Sequence, residues 1–134
     1  MEFNVDPLSG VAIYQQLIDQ VCAALARGRL QPDQRLPSVR ELSRTLVINP
    51  NTVARAYSQL ENDGVLYTRP GLGVFVAPHR PQLGRKARRE RLTKGVDALL
   101  IEAVQLGFAA DEVSELVAQR SKQFQWEPVT SETS

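Results

Sequence analysis

At 134 residues the chain suits one compact domain, or one small domain with an appendage, and 43% hydrophobic with 23% charged residues is ordinary globular composition, neither disordered nor fibrous. No apolar run approaches the roughly 20 residues a membrane helix needs, the acidic start Met1-Glu2-Phe3-Asn4-Val5-Asp6 does not resemble a secretory signal, and one cysteine with one histidine excludes an internal disulfide and the usual zinc cluster. A cytoplasmic protein without metal or cofactor is expected, and its net charge of +1 is sharply segregated: seven arginines against seven acids in residues 1–78, seven cations against Glu90 alone in 79–95, and two cations against seven acids in 96–134.

In chain order, Phe3-Asn4-Val5 suggests a short strand and Asp6-Pro7-Leu8-Ser9-Gly10 a turn. A helix is predicted from about Val11 to Arg27. Tyr14, Leu17, Ile18, Val21 and Leu25 keep helical spacing on its inward side, and Gly28 fits as its stop. Cys22 falls on the apolar side and reads as a buried structural thiol. Leu30 to Pro37 is expected to be a loop held by two prolines.

The next stretch carries the most information. Ser38 is a good N-cap and Glu41, three residues later, completes a capping box. Leu42 and Leu46 give that short helix one apolar face, and Val47 and Ile48 are expected to keep the following connection buried. Asn49 then caps a second helix with Pro50 in its first turn, where a missing N–H costs nothing. Val53, Ala56, Tyr57 and Leu60 follow the i, i+3, i+4, i+7 rule and point inward. Asn51, Thr52, Arg55 and Gln59 are left outward, short hydrogen-bonding groups and a guanidinium of the kind that reads base edges in a major groove. Gly64 ends this helix. Two β-prone runs, Val65 to Arg69 and Val74 to Val76, flank Pro70-Gly71-Leu72-Gly73 and predict a hairpin whose tip lacks side chains and can approach DNA closely.

Pro78 and Pro81 mark a linker. Beyond it Leu92, Val96, Leu99, Ala103 and Leu106 recur at alternating spacings of four and three, a short a/d seam widened by Leu100 and Val104. Gly107 ends that helix. A second follows, with Val113, Leu116, Val117 and Phe124 on one side and a weak start, because Ala109 and Ala110 stand where a capping side chain is expected. Trp126-Glu127-Pro128 ends it, and Val129 to Ser134 reads as a polar, frayed tail.

The stretch from Tyr14 to Val76 resembles the winged helix-turn-helix domain of GntR-type bacterial transcription regulators, and the segments around Leu36 to Leu42 and Asn49 to Tyr57 are similar in particular to the small YtrA-like subgroup. Where such sequences commonly carry Pro, this one has Ala12; where many have a basic residue, it has Pro50 and Ala54. A glycine common in the loop before Leu36 is replaced at Gln34 or its neighbour. The resemblance implies a mainly α fold with a small β-hairpin: a winged helix-turn-helix DNA-binding domain over residues 1–78, then a linker and an antiparallel helix pair for dimerisation over 79–134. It further implies that Arg40 grips a phosphate. The alternatives for Arg40 are a solvated charge or a partner for Glu41 or Glu61, and for Arg55 an ion pair with Glu61 or Asp63. Tyr57 fits the apolar register better than a phosphate contact.

The candidate DNA-contacting set is therefore Arg35, Ser38, Arg40, Asn49, Asn51, Thr52, Arg55, Arg69 and Gly71, and the candidate dimerisation set is Leu92, Val96, Leu99, Ala103 and Leu106. Two C-terminal helices of about 40 residues cannot enclose a metabolite pocket of the usual size, so no small-molecule effector is assigned. They can cover their seams by two-fold pairing with a second copy. The expected function is sequence-specific binding of pseudo-palindromic double-stranded operator DNA as a homodimeric repressor; the resemblance adds that such regulators often control transporter operons. Scattered carboxylates with one Cys and one His supply no catalytic cluster, so no enzyme is expected. The rival is a winged helix that binds protein without touching DNA. For the basic run Arg85, Lys86, Arg88, Arg89, Arg91 and Lys94, three readings stay open: a solvated helix end, the DNA backbone, and the acidic region of a partner subunit.

Overall fold

A computed structural model describes residues 1–78 and 84–126. Most of the expected linker, from His79 on, and the expected chain end beyond Trp126 lie outside the described residues. The elements run α1 (Ile13–Ala26), β1 (Arg35–Leu36), α2 (Val39–Leu46), α3 (Pro50–Asn62), β2 (Leu66–Arg69), β3 (Gly73–Val76), α4 (Arg85–Gln105) and α5 (Ala110–Ser121). Contacts divide the chain into two units, Met1–Arg80 and Pro81–Ser134.

The first unit is a winged helix-turn-helix. Its core joins Leu17, Ile18, Val21 and Ala24 of α1, Leu42 of α2, Val53, Ala56, Tyr57 and Leu60 of α3, and Leu36, Leu66 and Val76 of the sheet. Leu17, Val21 and Val53 are fully buried, which places α3 with one face locked against α1 and the other toward solvent.

Phe3 to Val5 is not a strand. The segment is extended, but its hydrogen-bonding partners are two glutamine side chains one turn apart on α1. Gln20 accepts from the Asn4 N–H at 2.9 Å and donates to the Asn4 carbonyl; Gln16 accepts from the Asp6 N–H at 2.8 Å and donates to the Asp6 carbonyl at 2.9 Å. Each primary amide thus does what a neighbouring strand's peptide would do, and the clip seats Phe3 in the core. Gln16 also donates to the Val11 carbonyl, and Ala12 is extended with ψ 144°, so α1 begins at Ile13 rather than Val11. Cys22 is exposed, not buried: it lies at the margin of the stripe formed by Leu17, Ile18, Val21 and Ala24. Partial burial of the sulfur, then the Asp19 and Asp63 carboxylates, push its pKa up and disfavour the thiolate.

α2 is capped as its sequence indicates, with Ser38 Oγ accepting from the Glu41 N–H at 3.0 Å. The return half of the capping box is absent, since the Glu41 carboxylate faces Arg35 at 3.8 Å. Tyr57 donates from the core to the Pro37 carbonyl at 2.7 Å, tying α3 to the residue before that cap. The largest departure is in the turn between α2 and α3. Val47 is 87% exposed and left-handed, φ 54°. The reason is geometric: the Val47 and Ile48 N–H groups return to Arg44 and Ser43 carbonyls, a Schellman closure that requires a positive φ and turns the side chain outward. Ile48 alone packs on the core.

The hairpin gains a third strand. β1, hidden in what reads as a proline-bounded loop, pairs antiparallel with β3 (Arg35↔Phe75, Leu36↔Val74), giving the order β1-β3-β2. Leu36, Leu66 and Val76 face the core; the alternation puts Arg35, Tyr67, Arg69, Gly73 and Phe75 on the opposite face.

In the second unit α4 opens on Gly84 without a side-chain cap. α5 has no capping side chain at Ala109, but the Glu112 carboxylate accepts from the Ala109 N–H at 3.0 Å and stabilises its first turn. Close packing joins α1 with α3, α2 with α3, both outer strands with β3, and α3 with β2. α4 and α5 do not belong to that set, and most of their apolar residues are exposed, Leu92, Val96, Leu99, Leu106, Leu116 and Val117 among them.

Candidate nucleic-acid interface

α3 is set up to present its first turn outward. Asn49 Oδ1 accepts from the Asn51 N–H at 2.8 Å, and Pro50 fills the first helical position. Asn49 is thereby occupied as a cap, as Ser38 is on α2. Asn51 and Arg55 are exposed and Thr52 is half-buried, on the side away from Val53, Ala56, Tyr57 and Leu60.

Arg55 pairs with neither Glu61 nor Asp63. Its guanidinium carbon stands 3.7 Å from the centroid of the Tyr14 ring on α1. The two acids have other partners: Glu61 accepts from the Thr68 hydroxyl, and Asp63 from the Gln59 amide at 3.1 Å. Arg40, on the first turn of α2, is exposed, and the Glu41 carboxylate is turned to Arg35 instead. Neither Glu41 nor Glu61 neutralises Arg40.

The wing holds the remaining candidates. The Leu72 N–H bonds back to the Arg69 carbonyl at 2.9 Å, with Pro70 second and Gly71 third at φ 76°, the arrangement of a type II turn. A Cβ added at Gly71 would meet nothing within 4 Å. Gly73, φ 126°, does more: a Cβ there would stand 2.9 Å from Arg35 Nε, so the missing side chain is what lets Arg35 lie across the base of the wing. Arg69 donates to the Tyr67 hydroxyl at 2.9 Å and lies 5.3 and 5.0 Å from the Tyr67 and Phe75 ring centroids, which stack at 5.7 Å. Tyr67 in turn donates to Asp33 at 2.6 Å, and that hydrogen bond is the main cause of its raised pKa.

The structure thus brings Asn51, Thr52 and Arg55 onto one outward face of α3, and Arg35, Arg69 and Gly71 into the wing. The sequence reading missed the groups that hold the arginines: Tyr14, Tyr67, Phe75 and Gly73. Tyr67 and Phe75 had a signal, strand alternation with the arginines at Arg69 and Arg35; the Tyr14–Arg55 contact, between two helices, had none.

On α4, Leu92, Val96, Leu99 and Leu106 are exposed and Ala103 alone is buried. Arg85, Arg88, Arg89 and Leu92 are exposed along one side of the first turns of that helix. No helix among the described residues is long and apolar enough to cross a membrane.

A helix with a polar outward face, capped at its first turn and accompanied by a glycine-tipped hairpin, is the architecture of a DNA-reading domain. The family model described as bacterial regulatory proteins, gntR family, matches residues 13–76. Over 118 residues the chain is 31% identical to the HTH-type transcriptional repressor YtrA of Bacillus subtilis (strain 168), covering 88% of this chain and 91% of that one. The chain belongs to the GntR family. Among solved structures, a transcriptional antiterminator from Listeria monocytogenes EGD-e is similar over 98% of both chains, with a TM-score of 0.77 and 26% identity. The DNA-binding domain of AraR, solved with operator ORX1, is similar over 57% of this chain and 100% of that one, with a TM-score of 0.50 and 28% identity. As a GntR-family member this chain is a transcription regulator with a DNA-binding domain, not an enzyme.

Proposed function

We propose that this GntR-family chain is a homodimeric repressor that reads a pseudo-palindromic operator, with α3 in the major groove, Arg40 on the backbone and the Gly71 tip against the duplex beside it. The observation that carries the reading is the capped, solvent-facing first half of α3, with Asn51 and Arg55 exposed above a fully packed inner face. The AraR domain, whose solved complex contains operator DNA, supports it. Dimerisation is assigned to Leu92, Val96, Leu99, Ala103 and Leu106, because four of these five apolar residues are left uncovered within one chain. Control of a transporter operon follows only from likeness to the YtrA-like subgroup.

Binding across a salt series tests the proposal, using a duplex enriched by the full-length protein from a random-sequence pool and a scrambled duplex of the same composition. Arg55→Ala is expected to lose about 1–3 kcal/mol on the enriched duplex and to relax its sequence preference. Arg40→Ala is expected to weaken both duplexes alike and to make the salt dependence shallower by about one unit. Wild-type binding by the double variant would sink the model.

A further inference from the structure

Two ways of holding an arginine coexist on the first unit. Arg40 is exposed and without an ion pair, free to meet an anion from several directions. Arg55 is exposed too, but its guanidinium lies over the Tyr14 ring at 3.7 Å. Tyr14 sits in the first turn of α1, half-buried against the core, and α1 is closely packed on α3. The ring is therefore a fixed surface.

The choice of partner has chemical consequences. A carboxylate beside Arg55 would fix the side chain but neutralise its charge and occupy the N–H groups of the fork. An aromatic face fixes the guanidinium plane through its quadrupole and uses none of the five in-plane donors. The stack orders a long side chain before binding, so less rotamer freedom remains to be lost on the complex.

We propose that Tyr14 is a positioning residue for sequence reading: its ring holds the Arg55 guanidinium flat and presents the edge of the fork to a base, with guanine, whose O6 and N7 accept two parallel N–H bonds, as the preferred partner. The inference rests on the placement of α3 in the major groove proposed above. Tyr14 then belongs to the specificity machinery although it stands on a different helix from the reading residues.

A double-mutant cycle between Tyr14 and Arg55 tests this, with the full chain, the enriched duplex and its scrambled counterpart. Tyr14→Phe keeps the ring and should bind like wild type. Tyr14→Leu keeps apolar packing but removes the π face; it should weaken binding about three- to tenfold on the enriched duplex only. It should relax preference at the same base pair that Arg55→Ala relaxes, leave the salt slope unchanged, and add nothing in the Arg55→Ala background. In the free protein, the Arg55 side-chain resonances should show a ring-current shift that persists in Tyr14→Phe, a readout that stands even where Tyr14→Leu folds poorly.

Equal losses in Tyr14→Phe and Tyr14→Leu would assign the effect to the hydroxyl and overturn the proposal. So would a Tyr14→Leu loss that is the same on both duplexes or undiminished beside Arg55→Ala, or the absence of the ring-current shift. Normal loss by Arg55→Ala with wild-type binding by Tyr14→Leu would remove Tyr14's role and leave the major-groove reading standing. Wild-type binding by Arg55→Ala would remove both.

Discussion

Val47 stands where α1, α3 and α4 are followed by Gly28, Gly64 and Gly107, and all four sites close the preceding helix with the same pair of backbone hydrogen bonds at positive φ. Glycine adopts that conformation freely; a β-branched residue crowds its own carbonyl there, at about 1–2 kcal/mol. Being almost wholly exposed, the valine gains little burial in return. Val47→Gly is expected to raise stability by roughly 0.5–1 kcal/mol after allowing for the greater freedom of glycine in the unfolded chain, measured as a shift of the urea midpoint at constant slope. Tyr57 works in the other direction. Its hydroxyl bonds the Pro37 carbonyl, and burial, then the Glu41 charge, push its pKa well above the ordinary 10.0. The folded state therefore keeps the phenol neutral after the unfolded chain has begun to release that proton. The stabilisation is complete below about pH 10 and declines as pH rises beyond it. Tyr57→Phe should cost about 1 kcal/mol at neutral pH and flatten the alkaline decline by up to about 1.4 kcal/mol per pH unit, followed by denaturant titrations from pH 7 to pH 11.

At the scale of elements, the clip formed by Gln16 and Gln20 defines what the N-terminal segment is. Replacing both by Ala is expected to bring amide exchange at Asn4 and Asp6 near that of free chain and to lower stability by about 1–3 kcal/mol, with the helical circular dichroism kept; protected amides in that variant would show that another contact holds the segment. The clip also shows which parts of the fold sequence could disclose. α2 and α3 were legible because everything that fixes them is local: Ser38 and Asn49 as caps, Pro50 in the first turn, and an apolar stripe at helical spacing. β1 was not, since two residues between prolines carry no periodicity and become a strand only by pairing with β3, some 40 positions away in sequence. Phe3 to Val5 alternates like a strand, but its ladder comes from side chains that no backbone pattern encodes. Val47 and Cys22 misled for a related reason: hydrophobicity predicts burial only where the backbone turns the side chain inward. In the candidate site the outward set on α3 was readable from helical spacing, whereas the ring under Arg55 required the packing of α1 on α3.

For the molecule as a whole, the proposed reading and pairing residues fall in different units of the chain, and each is expected to be breakable without the other. Leu99→Asp places a charge in the exposed α4 seam, where a single chain tolerates it and a paired one must desolvate it. Sedimentation is expected to show this variant as a monomer at concentrations where the wild type is a dimer, with the thermal unfolding of the first unit unchanged; a variant that still dimerises would move the interface elsewhere. Pairing through the proposed α4 seam would also tie the regulator to its own abundance. Where single chains predominate, the number of pairs follows the square of the copies synthesised, so halving gene dosage lowers paired protein about fourfold. Target promoters would then be released abruptly as cells dilute the regulator by growth, a threshold set by counting molecules, with no metabolite needed to trigger it.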